Sequence, residues 1–272
     1  MQTHLITGAA SGIGYELART LLQRGDAVLA CDLNPGPLES LRGHAASPDR
    51  FHAAQLDVRD PAQWEAAMQV AAKLWPRIDT VMNVAGVMRV NNIDTVQNSD
   101  VDLILDVNTK GVIFGTQAAF RVMRHQAYEN GRGHIINIAS LAGIAPIPGA
   151  ALYTASKFAV RGYSLAVAFE LKKFGIALTA ICPDAVATPM VTPFAKQAEA
   201  AVVFSGSRLL RIDEVVRAIV DRALVDRPVE ITLPRSRAGL AKLASCFPTI
   251  ASFLFSSMTR RGLRNQAGTV DN

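Results

Sequence analysis

The chain has 272 residues, half of them hydrophobic and 19% charged, which supplies a sizeable core and argues against disorder. Its net charge of +5 is modest and is read as spread along most of the chain, whereas nucleic-acid binding calls for basic residues concentrated on one element. Three cysteines, Cys31, Cys182 and Cys246, are odd in number and far apart, which fits neither a metal site nor a disulfide framework and suits a reducing, cytoplasmic setting.

The opening QTHLITGAA runs straight into an apolar strand pattern with no basic leader ahead of it. No uncharged run reaches the ~18 to 20 residues that a membrane-spanning helix needs. Strand patterns recur at 4–7, 27–31, 51–58, 78–85, 133–140, 176–182 and 229–234. Between them lie helical periods: GIGYELARTLLQRG, PAQWEAAMQVAAKLW, a long segment from about Ser99 to Tyr128, and ALYTASKFAVRGYSLAVAFELKKFG. Apolar strands alternating with helices predict an α/β chain with a doubly wound Rossmann fold, a central parallel sheet of about seven strands covered by helices on both faces. One dinucleotide-binding and catalytic domain is expected over 1–235. Within it, 184–211 combines prolines with loosely apolar residues and reads as a substrate lid over the carboxyl ends of the strands. Residues 236–272 form an amphipathic C-terminal extension.

Immediately after the first strand stands TGAASGIG, with Gly8, Gly12 and Gly14 around Ser11 and Ile13. Glycines let a backbone turn sharply and approach a pyrophosphate, and the helix that follows offers its N–H groups to the anion. Asp32 ends the second strand pattern. A carboxylate there accepts hydrogen bonds from ribose hydroxyls and repels a 2′-phosphate. Neither Leu33, Asn34 nor Ser11 brings a cation, so NAD is expected over NADP. Further along, Tyr153 and Lys157 lie one helical turn apart on a common face, close enough for the lysine charge to act on the phenol.

Taken in order, TGAASGIG, NVAG (83–86), Asn108, Ser140 and YTASK (153–157) resemble the short-chain dehydrogenase/reductase family over roughly residues 1 to 235. The resemblance implies a catalytic set. Tyr153 is the general acid-base residue and Lys157 lowers its pKa while binding the nicotinamide ribose. Ser140 hydrogen-bonds the substrate oxygen, and Asn108 positions a relay water. For the cofactor it implies Asp57 and Val58 at the adenine, Asn83, Ala85 and Gly86 beside the adenosine, and Pro183, Val186 and Thr188 near the nicotinamide. It also implies a homodimer or homotetramer. Two positions depart from the family pattern, Val84 for a second asparagine and Asp184 for the glycine after Pro183.

The substrate space is expected to be apolar, with Leu141, Ala142, Ile144, Pro146 and Ile147 after Ser140 and Met190 and Phe194 in the lid, without an Arg or His clamp. Together these features point to an NAD(H)-dependent oxidoreductase interconverting an apolar, steroid-, retinoid- or lipid-like secondary alcohol and its carbonyl compound. An NADP-dependent ketoreductase and a catalytically inactive NAD(H)-sensing protein are the alternatives. No metal and no nucleic acid are expected. The tail places Ile250, Phe253, Leu254 and Met258 at helical spacing before Arg260, Arg261 and Arg264. It is open to three readings: a cover for the pocket, a subunit contact, or a peripheral contact with an anionic membrane.

Overall fold

The computed structural model describes residues 1–127 and 131–270. Its strands are β1 (Thr3–Thr7), β2 (Ala27–Asp32), β3 (Phe51–Gln55), β4 (Thr80–Asn83), β5 (Gly133–Ile138), β6 (Ile176–Pro183) and β7 (Glu230–Leu233). All pair in parallel, in the order β3-β2-β1-β4-β5-β6-β7. The helices are α1 (Gly12–Gln23), α2 (Pro61–Leu74), α3 (Asn98–Leu105), α4 (Gly111–Met123), α5 (Ala151–Lys172), α6 (Ile212–Ala218), α7 (Leu224–Asp226), α8 (Arg235–Cys246) and α9 (Pro248–Val270). This is the doubly wound α/β fold expected. Strand order reverses between β1 and β4, and such a reversal opens a crevice at the carboxyl ends of the strands.

Strand periodicity divides the core into two layers. Ile6, Val28, Met82 and Ile136 pack with Leu17 and Leu21 of α1 and Val215 of α6. Their neighbours Leu5, Leu29, Val81 and Ile135 pack on the other face with Trp64 and Met68 of α2, Ala119 of α4 and Leu171 of α5. Both faces are therefore dry, which explains strands that are apolar almost throughout. Helix α2 starts where its sequence dictates: the Asp60 carboxylate accepts from Ala62 N at 2.8 Å and Pro61 occupies the first turn.

Two strands are shorter than the 51–58 and 78–85 patterns, because the chain leaves the sheet at its carboxyl edge. Beyond Gln55, Asp57 N donates to the Gln63 side chain at 2.8 Å. Beyond Asn83, Val84 N and Ala85 N donate to Thr7 Oγ1 at 3.1 and 3.2 Å rather than to a strand. The helical segment expected from Ser99 is interrupted by a π turn at Asp106–Lys110 and ends at Met123. Its expected end, Tyr128, lies outside the described residues.

The C-terminal extension is a pair of helices packed on the domain. Gly262 of α9 is buried against the 3-10 turn Ala198–Phe204, where an added Cβ would collide with the Ala201 carbonyl. Asn265 Nδ2 donates to the Phe204 and Gly206 carbonyls at 2.8 and 2.7 Å, and Gln266 Nε2 to that of Gln197 at 2.8 Å. The side chains of Ile250 and Leu254 lie outside those described. The charge is not spread along the chain as expected. Residues 231–272 hold Arg235, Arg237, Lys242, Arg260, Arg261 and Arg264 against a single acid, Asp271, so the whole +5 resides there. Among the described residues, no helix is long and apolar enough to cross a membrane.

Candidate active site

At the crevice lies a cavity of about 1180 Å³, larger than the roughly 300–1,000 Å³ of a typical small-molecule site. One end is formed by the glycine turn. Gly8 and Gly12 have φ of 67° and 55°, the left-handed region that glycine enters without steric cost. A Cβ on Gly14 would strike the Gly8 carbonyl, so strand and helix approach as closely as backbone allows. The first turn of α1 carries no acidic side chain and Ser11, its N-cap, makes no side-chain capping bond. The positive end of α1 thus faces the cavity unneutralised, as an anion site requires.

Asp32 also lines this end. Its carboxylate accepts from Ala10 N at 3.0 Å and Asn34 N at 3.1 Å, which ties β2 to the glycine turn. Asp57 and Val58 form the adjoining wall. The Arg59 guanidinium bonded to Asp57, 2.6 Å between Nη2 and Oδ2, holds that carboxyl below its ordinary value. Ile13, Ala85, Gly86, Pro183, Val186 and Thr188 line the cavity as well. These residues have the backbone shape and donor set for a dinucleotide.

Asn83 is placed differently from expectation. Its side chain is buried in the sheet, donating to Asn137 Oδ1 at 2.7 Å, and it is not in the cavity wall. In-register pairing of β4 with β5 sets these two asparagines side by side. Val84, the departure beside it, packs on the α1 side of the core and uses only its backbone N–H toward Thr7.

The reactive end is built on α5 and the end of β5. Ser140 follows β5 and caps the short turn Leu141–Gly143, its Oγ accepting from Ala142 N at 3.1 Å and donating to the Pro183 carbonyl at 3.3 Å. It is thus both a helix cap and a cavity residue. Tyr153 and Lys157 lie in the first two turns of α5, with the lysine Nζ 5.6 Å from the phenol ring centre and donating to the Ile138 carbonyl at 2.8 Å. A Cβ on Gly86 would sit 3.3 Å from Asn108 Oδ1, 3.8 Å from Lys157 Nζ and 3.9 Å from Met190 Cε, so this glycine leaves room where three other expected site residues converge.

Asn108 supports the site from behind. It is fully buried in the π turn, accepts from Val87 N at 2.8 Å, and donates to the Val87 carbonyl at 2.9 Å and Ser156 Oγ at 3.0 Å. Ser156 Oγ in turn donates to the Tyr153 carbonyl at 2.7 Å. The amide is therefore committed to protein partners and is absent from the cavity wall. A water relay at this residue would have to use a backbone carbonyl of the π turn rather than the side chain; π turns recur at functional sites for such reasons.

Electrostatics differ from the simple expectation. Burial pushes the Tyr153 phenol up to about 12, against a smaller lowering by its hydrogen bond with Ser140, and burial brings Lys157 down to about 8. Desolvation penalises both charged forms, so the protein alone leaves the phenol protonated at neutral pH. The opposing influence on the phenol comes from Ser140 and not, as expected, from Lys157.

Of the expected substrate residues, Ala142, Ile147 and Met190 line the cavity with Leu141 and Pro146. Phe194 does not, packing instead with Ile147, Tyr153 and Met190 in a small cluster. Ile144 is buried beneath α5 with Val160. Of the three readings of the tail, a cover for the pocket is the one the cavity wall matches: Leu240 and Leu243 of α8, Phe247 just beyond it, and Phe255 and Met258 of α9 line it. Arg237 and Arg261 also reach the cavity. The one signal for this in the sequence was the apolar, arginine-ended tail, which does not state its neighbour.

A doubly wound parallel sheet with a glycine turn at its switch point and a Ser, Tyr and Lys group across one cavity defines a nicotinamide-dependent oxidoreductase architecture. Residues 2–199 match the short chain dehydrogenase family, and the chain belongs to it. It is 36% identical over 186 residues, 68% of this chain and 69% of the relative, to the 3-alpha-(or 20-beta)-hydroxysteroid dehydrogenase of Mycobacterium tuberculosis. It is 32% identical over 212 residues, 76% of this chain and 81% of the relative, to the cyclopentanol dehydrogenase of Comamonas testosteroni. The crystal structure of levodione reductase superposes with a TM-score of 0.76 at 27% identity, covering 88% of this chain and 98% of that one. The family uses a nicotinamide cofactor, NAD or NADP.

Proposed function

We propose that the protein is an NAD(H)-dependent dehydrogenase that interconverts an apolar secondary alcohol and its ketone. The observation that carries this reading is the single cavity with Asp32 and the glycine turn at one end, Ser140, Tyr153 and Lys157 across it, and Leu240, Phe247, Phe255 and Met258 along its wall. In this reading Gly8, Ser11, Gly12, Ile13 and Gly14 hold the pyrophosphate and Asp32 the adenosine ribose. Asp57, Val58, Ala85 and Gly86 flank the adenine half, and Pro183, Val186 and Thr188 the nicotinamide half. Bound there, the cofactor supplies the hydride acceptor or donor. Tyr153 gives its proton to the ketone oxygen in reduction and takes one from the alcohol in oxidation, while Ser140 holds that oxygen. Lys157, anchored on the Ile138 carbonyl, keeps a positive charge beside the phenol. Residues 184–211 act as the lid over the substrate.

The hydroxysteroid and cyclopentanol dehydrogenases among the relatives support an alicyclic secondary alcohol. A panel of 3-hydroxysteroids, cyclic alcohols and long-chain secondary alcohols tests this directly. Turnover is expected with the alicyclic members and NAD⁺, while activity confined to short polar alcohols would overturn the substrate class.

The arginines Arg260, Arg261 and Arg264 of α9, with exposed Leu240, Leu243, Phe247 and Phe253 in the same extension, support a peripheral contact of this segment with anionic lipid. In liposome flotation the protein is expected to rise with vesicles containing anionic lipid at low salt and to stay behind at high salt. Absence from the vesicle fraction at low salt refutes the contact. A homodimer or homotetramer belongs to the same reading, with exposed Phe158 and Phe169 of α5 suited to subunit packing.

A further inference from the structure

Asp184 stands where the family pattern has glycine, and its partner comes from outside the part of the chain that matches the family. Arg237, in the first turn of α8, places Nε 3.0 Å from Asp184 Oδ2. The two side chains are only 27% and 14% exposed. The same guanidinium donates from Nη2 to Ser205 Oγ at 3.3 Å. Ser205 is buried at the end of the 198–204 turn, and the adjacent Gly206 lies against the guanidinium so closely that a Cβ would collide with it.

The Asp184 end of this contact touches the reactive centre. Asp184 follows Pro183, whose carbonyl accepts from Ser140 Oγ at 3.3 Å, and Asp184 N donates to the Leu233 carbonyl at 2.7 Å. Asp184, Ser205 and Arg237 all line the cavity. A second bond fixes α8 to the sheet: Lys242 Nζ lies 2.7 Å from Glu230 Oε2, whose other oxygen lies 2.6 Å from Arg161 Nε of α5. The helix that brings Arg237 is thus held at both ends of its first two turns.

We infer that Arg237 is a positioning residue of the active site, holding Asp184 beside the catalytic serine and coupling the C-terminal helix pair to the 184–188 loop and the 198–206 segment. The inference rests on the reading of this cavity as the active site. Burial raises the Asp184 carboxyl, and the Arg237 charge, with a smaller help from the Ala185 backbone, opposes that rise. Removing one partner of a buried pair leaves an uncompensated charge, which is costly, whereas removing both charges is nearly neutral. The loop most affected carries Val186 and Thr188, and displacement of reacting groups by about 1 Å lowers rates as much as ~10²-fold.

The test is a cycle of R237M, D184N and the double variant, with R237K as the conservative control. Each is read by cofactor dissociation constant, thermal midpoint, and kcat and KM taken separately. R237M is expected to weaken cofactor binding and to lower kcat/KM by about 10- to 100-fold. D184N/R237M recovers most of both losses, and R237K stays much nearer the wild type than R237M. The R237M deficit relative to wild type is expected to shrink as pH falls and Asp184 takes up a proton, and to be independent of pH in the double variant. A double variant no better than R237M, or an R237M indistinguishable from wild type, overturns the inference. If the wild type turns over no alcohol, the substrate reading fails, while cofactor affinity and thermal midpoints still decide the role of Arg237. Should R237M not fold, the thermal midpoints of R237K and D184N/R237M make the same comparison.

Discussion

Replacing Tyr153 by Phe is expected to lower kcat in both directions by about 10²- to 10⁴-fold, the range of a lost general acid-base group, while cofactor affinity stays within a small factor. The ring remains in place beneath Lys157 and within the cluster formed by Ile147 and Met190, so only the hydroxyl and its bond to Ser140 are removed. The glycine turn lies at the other end of the cavity and is untouched. The same group sets the pH dependence. With the phenol raised to about 12 by burial, the protonated form dominates at neutral pH, and the deprotonated form needed to accept an alcohol proton grows as pH rises. Alcohol oxidation by the wild type is therefore expected to accelerate above neutral pH until Lys157, brought down to about 8 by burial, loses its charge, and ketone reduction to hold steady before falling. Steady-state rates for both proteins across that range check both statements; wild-type rates in the Tyr153→Phe variant would remove the residue from catalysis.

The second large effect concerns Asp32. Losing a hydrogen bond to a charged group costs about 1.5–3 kcal/mol, which is roughly 10- to 150-fold in kcat/KM for NAD⁺ in Asp32→Ala. NADP⁺ is expected to gain, since the repulsion of its 2′-phosphate disappears. Adding Leu33→Arg, at a 57% exposed cavity position, supplies the missing cation and extends the shift. Asp32 also ties Ala10 N to Asn34 N, so Asp32→Ala loosens the glycine turn for both cofactors. Asp32→Asn separates the two roles, because its amide oxygen still accepts from Ala10 N while the charge is gone. Cofactor titrations of the three variants give the result. An unchanged ratio of NAD⁺ to NADP⁺ in all three contradicts the role given to Asp32.

Much of this was legible in the chain before folding. Strands buried on both faces announce themselves as continuous apolar runs, and the glycine turn, Ser140 and YTASK are local patterns whose spacing carries the geometry. What escaped depended on register or on distance along the chain. Whether Asn83 faces the cavity or Asn137 is fixed by the pairing of β4 with β5, which spacing does not give. Asn108 belongs to a π turn, and that turn decides that its amide bonds Val87 and Ser156 rather than a water. The opposing burial of Tyr153 and Lys157 is a property of the assembled cavity. Asp184 stands out in the sequence only as a departure from the family's glycine, because its partner, Arg237, lies on a helix beyond the family match. The tail's amphipathic pattern described a face without naming the surface it covers.

Hydride transfer between substrate and cofactor is read by following label from the substrate carbon to the cofactor. An alicyclic secondary alcohol deuterated at the carbinol carbon is incubated with the wild type and NAD⁺ or NADP⁺, and the reduced cofactor is analysed by mass. Deuterium is expected in NADH, far less in NADPH, and almost none with Tyr153→Phe. Unlabelled NADH, or label appearing preferentially in NADPH, would contradict that expectation.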